Sequence, residues 1–154
     1  RNLRAGFLTN AGNDGKLQYR YNGTWYDLKT SLTSIDLCFC DYWDTSAVIK
    51  YTLWVDGSAN VYKWNGASTW TSKGTVTAPA RLRDCYYPLT DQLIITDINL
   101  NNVVKSWDGT TFGNLTTGLT KPLKAKYGVI WQDRVWLFNI NYDGKKTIYI
   151  GIMR

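Results

Sequence analysis

The stretch VVKSWDGTTFGNLTTG, Val103 to Gly118, has two relatives earlier in the chain. They are NVYKWNGASTWTSKG, from Asn60, and LQYRYNGTWYDL, from Leu17. The turn glycines of the three stretches recur every 43 residues, at Gly23, Gly66 and Gly109. Asn-Gly and Asp-Gly between aromatic runs are strong hairpin signals, because the turn needs positive φ at its central residues. The sequence therefore predicts the same strand, tight turn and aromatic residue three times at one spacing.

The composition favours strands over helices. All 12 carboxylates are Asp, none is Glu, and there is a single Met. Asp favours turns, whereas Glu and Met favour helix interiors. Aromatic residues make up 15% of the 154 residues, with 13 Gly, which is typical of short strands joined by tight turns. We therefore expect an all-β protein.

The length of the repeat indicates the architecture. Four strands in about 43 residues are typical of one blade of a β-propeller, whose sheet buries both faces against its neighbours. The two-sided apolar runs IKYTLWV and RVWLFNI fit such a blade. The predicted units are residues 1–34 (partial), 35–79, 80–122 and 123–154 (partial). The sequence thus predicts two whole and two partial four-stranded blades, as a segment of a larger propeller and a longer chain.

The individual strands follow from the same pattern. In the first unit they are expected near 3–9, 16–21 and 25–28, without an innermost first strand. In the second and third units they are expected near 36–42, 48–55, 60–64 and 69–73, and near 83–87, 92–98, 102–107 and 111–116. In the last unit they are expected near 125–131, 134–140 and 146–150, without an outer fourth strand.

The residue types for catalysis and metal binding are scarce. The chain has no His, no Cys-x-x-Cys and no calcium-loop pattern, so no catalytic residue, metal site or cofactor is predicted. Cys38, Cys40 and Cys85 are expected to be free thiols in β-cores, with a disulfide from Cys85 to a neighbouring unit as the alternative. The stretch SWDGTTF is similar to the Asp-box of sialidases, but Gly109 follows Asp108 one residue too early. A hydrolase is therefore the weakest hypothesis.

One charge pattern repeats with the blade. Arg81 and Arg83 precede or open one unit, and Lys124 and Lys126 occupy the same places 43 residues later. In a propeller these positions lead into the innermost strand, so the four cations would form a ring at a channel mouth. A net charge of +6 would suit a polyanion such as DNA passing the channel. The alternative is ordinary surface charge on a solvated linker.

The repeated aromatics allow a second function. Trp25, Trp70 and Phe112 follow the three Asn/Asp-Gly turns, and one aromatic per blade could stack on a glycan. Packing between blades requires periodic aromatics equally. A glycan-binding, lectin-like propeller is therefore the alternative function.

A family resemblance points to the leading function. VYKWNGASTW and VVKSWDGTTF, each followed by a Pro-containing linker, and KPLKAKYGVIWQDRVWLFNINYDGKKTIYIGI, Lys121 to Ile152, resemble β-propeller structural proteins of tailed bacteriophages. Such proteins are found in necks, tail nozzles or tail hubs. The resemblance implies a non-enzymatic virion component, assembled in the host cytoplasm, with other virion proteins as partners in a symmetric assembly. No apolar run is long enough to predict membrane insertion.

Overall fold

The structure, a computed structural model, describes residues 2–7, 15–32, 37–44, 49–56, 58–67, 69–115, 122–142 and 145–152. None of these residues is helical. The first seven strands are β1 (Asn2–Phe7), β2 (Gly15–Tyr21), β3 (Thr24–Lys29), β4 (Cys38–Asp44), β5 (Ile49–Val55), β6 (Asn60–Trp64) and β7 (Thr71–Thr75). The others are β8 (Leu82–Tyr87), β9 (Gln92–Asp97), β10 (Lys105–Trp107), β11 (Phe112–Asn114), β12 (Lys124–Trp131), β13 (Arg134–Tyr142) and β14 (Lys145–Ile152).

The strands form four antiparallel sheets, and each sheet is a simple meander in chain order. Sheet 1 contains β1–β3, sheet 2 contains β4–β7, sheet 3 contains β8–β11 and sheet 4 contains β12–β14. Gly23, Gly66 and Gly109 have φ of 84°, 86° and 91°, as the predicted turns require. The all-β prediction is confirmed. The described strands close into neither a barrel nor a complete ring of sheets.

A strand lies at every place where the sequence predicts one, although residues 8, 9, 36, 48 and 116 lie outside the described part. The largest difference is β10, which begins at Lys105 instead of residue 102. The backbone around Asn101 and Asn102 instead wraps around the carboxylate of Asp97. Asp97 Oδ2 accepts the backbone N–H of Asn101 and of Asn102, at 3.2 and 3.1 Å. These bonds replace the ladder bonds of a longer strand.

The central strands β5 and β9 of sheets 2 and 3 are buried on both faces. Leu53 and Trp54 are neighbours on β5 and fully buried, but Leu53 packs against sheet 3 and Trp54 against sheet 1. Leu93 and Ile94 on β9 are divided in the same way between sheets 2 and 4. Successive side chains of a strand point to opposite faces, so an uninterrupted apolar run serves two cores. Three cores therefore join the four sheets in chain order.

Contacts between sheets concentrate on their first strands. Strand β8 contacts β4 of the preceding sheet and β12 of the following one. The outer strands β7 and β11 also touch, where the Phe112 ring lies against Gly74. A Cβ at position 74 would collide with that ring. This glycine is therefore required by close packing, since its φ is not in the left-handed region.

Candidate functional site

The four repeated basic residues lie at the entrances of two neighbouring first strands. Arg81 precedes β8, on which Arg83 lies, and Lys124 and Lys126 lie on β12. The Thr96 hydroxyl donates to the Lys126 carbonyl oxygen at 3.0 Å and is 3.5 Å from that of Arg83. The bond to Lys126 thus links β9 of sheet 3 to β12, the first strand of sheet 4. The two arginines are exposed and the two lysines are half-buried.

Asp97 fixes the entrance of β8. Its Oδ1 accepts the backbone N–H of Arg81 at 3.0 Å, while its Oδ2 accepts the Asn102 side-chain amide at 2.8 Å. Asn102 in turn bonds both backbone groups of Thr77, with its oxygen accepting at 2.6 Å and its nitrogen donating at 2.9 Å. Buried carboxylates are stable where several N–H groups neutralise them. The linker between sheets 2 and 3 is therefore anchored to the loop after β9.

The three aromatics at the glycan-stacking positions are half-buried, and each already lies against neighbouring side chains. Trp70 packs edge-on against Tyr62, with ring centroids 4.7 Å apart, beside the core between sheets 1 and 2. Phe112 packs against the core between sheets 2 and 3. The guanidinium of Arg20 lies 6.0 Å from the Trp25 ring. The structure does not bring these three residues together, since each belongs to a different sheet.

Cys40 is buried, and Cys38 and Cys85 are half-buried; all three are free thiols. Burial raises the pKa of Cys85 to about 12, and the neighbouring Asp84 carboxylate adds to the effect. Burial also raises the pKa of Cys40 well above its ordinary range. A thiol must ionise to act as a nucleophile, so Cys40 and Cys85 are packing residues at neutral pH.

Several aspartate side chains accept hydrogen bonds from backbone N–H groups in nearby turns. Asp108 Oδ1 accepts the N–H groups of Thr110 and Thr111 at 2.9 and 2.6 Å, as in an Asx-turn. Asp56 Oδ1 accepts the N–H of Ser58 at 3.2 Å. In the described part of the chain, no three His, Cys, Asp or Glu side chains form a group that could hold a metal ion.

A shallow pocket of about 450 Å³ lies between two turns at one end of sheets 3 and 4. Leu89 of the β8–β9 turn and Gln132, Asp133 and Arg134 of the β12–β13 turn line it. The backbone carbonyl of Asp133 is already used, because it accepts the Tyr87 hydroxyl at 3.1 Å. The side chains that line the pocket are thus one cation, one carboxylate, one amide and one apolar group.

Sequence reasoning missed the outer face of sheet 4. Tyr127, Val129 and Trp131 alternate along β12 and are 48%, 45% and 57% exposed. The alternation is visible in KYGVIWQDRVWLF, but β5 and β9 also contain apolar runs and are covered on both faces. Only the three-dimensional arrangement reveals which apolar face has no neighbouring sheet in the described structure.

Comparisons with known proteins identify no relative of this chain. The chain matches no protein-family model, no curated protein and no solved structure. Among the described residues, no helix has the length and apolar character needed to cross a membrane.

Proposed function

We propose that this chain is a non-enzymatic structural component of a tailed-phage particle, an arc of β-propeller blades that acts as an interaction platform in a neck or tail. The supporting observation is the repeated junction between consecutive sheets. Each junction has an apolar core, and the central strands β5 and β9 of sheets 2 and 3 are buried on both faces. A rigid arc of this kind presents its turns at fixed positions to adjoining subunits.

The same hydrogen bond occurs at two of the junctions. The Tyr42 hydroxyl of sheet 2 donates to the Asp91 carbonyl of sheet 3, and the Tyr87 hydroxyl of sheet 3 donates to the Asp133 carbonyl of sheet 4. A specific polar contact that recurs at two junctions supports a regular arrangement of consecutive sheets. This regularity, with first strands that touch one another, favours a propeller arc over unrelated sheets.

The platform proposal predicts a location in the particle. An antibody raised against the chain should decorate the neck or tail of purified particles in electron microscopy. Particles that contain DNA and infect normally without the chain would contradict the proposal, as would its recovery only from the unassembled protein of infected cells. A catalytic turnover of any polymer by the pure chain would contradict its non-enzymatic part.

The basic residues are the proposed lining of a channel mouth. Replacement of all four residues by Ser should weaken duplex DNA binding. The negative slope of log affinity against log salt concentration should become less steep by about 3–4. The matched control replaces four described cations elsewhere, Lys16, Arg20, Lys50 and Lys145, by Ser. Equal losses in both variants would indicate that only net charge matters and would contradict a channel-mouth site.

Glycan binding is the alternative function. Trp25→Ala and Trp70→Ala should abolish binding on a glycan array if these rings stack on sugars. Because Trp70 also packs against Tyr62 and Trp54, the stability of each variant must be measured beside its binding. Binding that is lost without a loss of stability would favour the lectin over the structural platform.

A further inference from the structure

The outer face of sheet 4 is a continuous aromatic surface, here called the open face. It consists of Tyr127, Val129 and Trp131 of β12 and Trp136 and Phe138 of β13, with Arg134 opposite Trp131 at its end. Tyr127 pairs with Phe138 and Val129 with Trp136, so these side chains stand directly opposite each other on one face. The Trp131 and Trp136 rings lie 5.8 Å apart, and Trp136 Nε1 donates to the Trp131 carbonyl at 3.1 Å. The aromatic side chains are thus held in place by one another.

The open face continues the series of junctions between the sheets. Sheets 1, 2 and 3 each pack one face against the sheet that follows. Sheet 4 packs Val135 and Leu137 against sheet 3, and both are fully buried. Its other face, which has the same apolar character, meets no further sheet in the described structure. Contiguous apolar surface of this kind is rare on monomers and marks interaction sites.

The opposite end of the series is polar and internally paired. On sheet 1, Lys16 Nζ donates to Asp27 Oδ2 at 2.9 Å and Gln18 Nε2 to Asp27 Oδ1 at 2.6 Å. Arg20 Nε donates to the Gly23 carbonyl at 3.2 Å. Covering these groups with an aromatic face would remove them from water without new partners, which is costly. The sheet 1 end is therefore a poor partner for the open face.

We propose that the open face binds the same face of a second copy of this chain, about a two-fold axis. The open face is apolar and so is its counterpart on a second copy, whereas a head-to-tail contact would bury the paired charges of sheet 1. A two-fold contact is self-complementary and closes after two subunits. This inference goes beyond the proposed function, because it concerns one face of the isolated chain and holds in or out of a particle.

The test is the concentration dependence of the mass of the 154-residue chain. Native mass spectrometry and sedimentation equilibrium from about 1 to about 200 µM cover the range of small, weak interfaces. We expect a species of twice the 17.6 kDa chain mass. The double variant Tyr127→Ser, Trp131→Ser should weaken the dimer at least about tenfold, as expected of central aromatic anchors.

The matched control removes two exposed aromatics from another sheet. Phe39 and Trp43 on β4 are 40% and 50% exposed, and Phe39→Ser, Trp43→Ser should leave the dimer unchanged. A chain that stays monomeric throughout, a dimer that survives the sheet 4 substitutions, or an open-ended ladder of oligomers would each overturn the inference.

A second measurement avoids dependence on the folding of the serine variant. Val129 lies at the centre of the open face, between Tyr127 and Trp131, so a two-fold contact centred on that face brings the two copies of residue 129 together, and Val129→Cys should give a covalent dimer with a short bis-maleimide. Gln18→Cys, on the polar face of sheet 1, should not, and the unsubstituted chain measures the background from its own thiols. Cross-linking through position 18 but not 129 would indicate a two-fold contact through sheet 1 and overturn the inference. A cross-link that forms only when Gln18→Cys and Val129→Cys are combined would indicate a head-to-tail contact and overturn it as well.

Loss of the dimer would leave the platform proposal standing, because that proposal depends on the location of the chain in the particle. Conversely, absence from particles would not affect the mass of the isolated chain. The two proposals therefore fail separately.

Discussion

The hydroxyl of Tyr42 lies 3.0 Å from the carbonyl oxygen of Asp91, although the two residues belong to different sheets. Tyr42 is on the first strand of sheet 2 and Asp91 is in the first turn of sheet 3. The Tyr87 hydroxyl and the Asp133 carbonyl repeat this relationship between sheets 3 and 4, at 3.1 Å. Both aspartates have positive φ, 49° and 56°, and both tyrosines are buried. The turn conformation thus directs a carbonyl at the preceding sheet.

Removal of either hydroxyl should destabilise its junction. Tyr42→Phe and Tyr87→Phe should each lower the free energy of unfolding by about 1 kcal/mol, because a part-buried hydrogen bond between sheets is lost while the ring packing is kept. Urea unfolding followed by tryptophan fluorescence measures the effect. Tyr127→Phe, at an exposed tyrosine, is the control and should change stability by less than about 0.5 kcal/mol. Equal effects at all three positions would contradict a role for the repeated bond.

A side chain at position 74 should destabilise the protein as long as the Phe112 ring is present. Gly74→Ala should cost about 2 kcal/mol, since its Cβ would meet the Phe112 ring and force a shift in packed strands. The partner variant Phe112→Leu should make the alanine much less costly, as a double-mutant cycle in urea would show. Gly113→Ala is the control, because nothing lies within 4 Å of its added Cβ. A Gly113→Ala variant as unstable as Gly74→Ala would point to backbone strain instead of the ring contact.

The buried Asp56 carboxylate of sheet 2 forms an ion pair with Lys29 of sheet 1. Its side chain is 1% exposed, and Oδ2 lies 3.7 Å from Nζ of Lys29, which extends from β3 past Tyr62 and Trp70. Lys29→Met should lower the free energy of unfolding by about 2 kcal/mol, because a buried charge loses its counter-ion. Adding Asp56→Asn should restore much of the loss.

The control for that prediction is the pair of Lys50 and Asp41. Their ion pair is shorter, 2.8 Å, but its side chains are 59% and 54% exposed. Lys50→Met should cost less than about 0.5 kcal/mol, as is usual for surface pairs. If the exposed pair proved as important as the buried one, burial would not explain the effect.

Cys85 should resist alkylation in the folded protein. Burial raises the pKa of its thiol from 9.0 to about 12, so at pH 8 iodoacetamide should label it only after denaturation, as mass spectrometry of the peptides would show. The folded-state pKa is higher than the unfolded one. Its contribution to stability is therefore complete below pH 9 and is lost as the pH rises toward about 12.

A substitution at Cys85 should separate the effect of this thiol on stability above pH 9 from that of other titrating groups. Cys85→Ala removes the titrating thiol, so the stability of the variant should fall less steeply than that of the unsubstituted chain above pH 9. Rapid labelling of Cys85 at pH 8 without denaturant, or identical alkaline profiles for the two chains, would contradict the raised pKa.

The sequence by itself determined the strands. Regularly spaced turn glycines, such as Gly66, and apolar runs, such as that around Leu53, specify local conformation through φ and through alternation along a strand. Both signals are contained in a few neighbouring residues, so strand positions and the all-β class follow from them. The same locality explains the error at β10, where Asp97 competes for backbone N–H groups of a segment with strand character.

Only the tertiary structure decided which surfaces meet. Trp54 and Trp131 both lie in apolar runs, yet Trp54 is fully buried and Trp131 is 57% exposed. The difference lies in whether another sheet covers that face, and no local pattern encodes it. Likewise the partner of Tyr42 is 49 residues away and is a backbone carbonyl, which every residue possesses. Burial and long-range hydrogen bonds depend on the assembled sheets, because they are properties of pairs of surfaces and not of single strands.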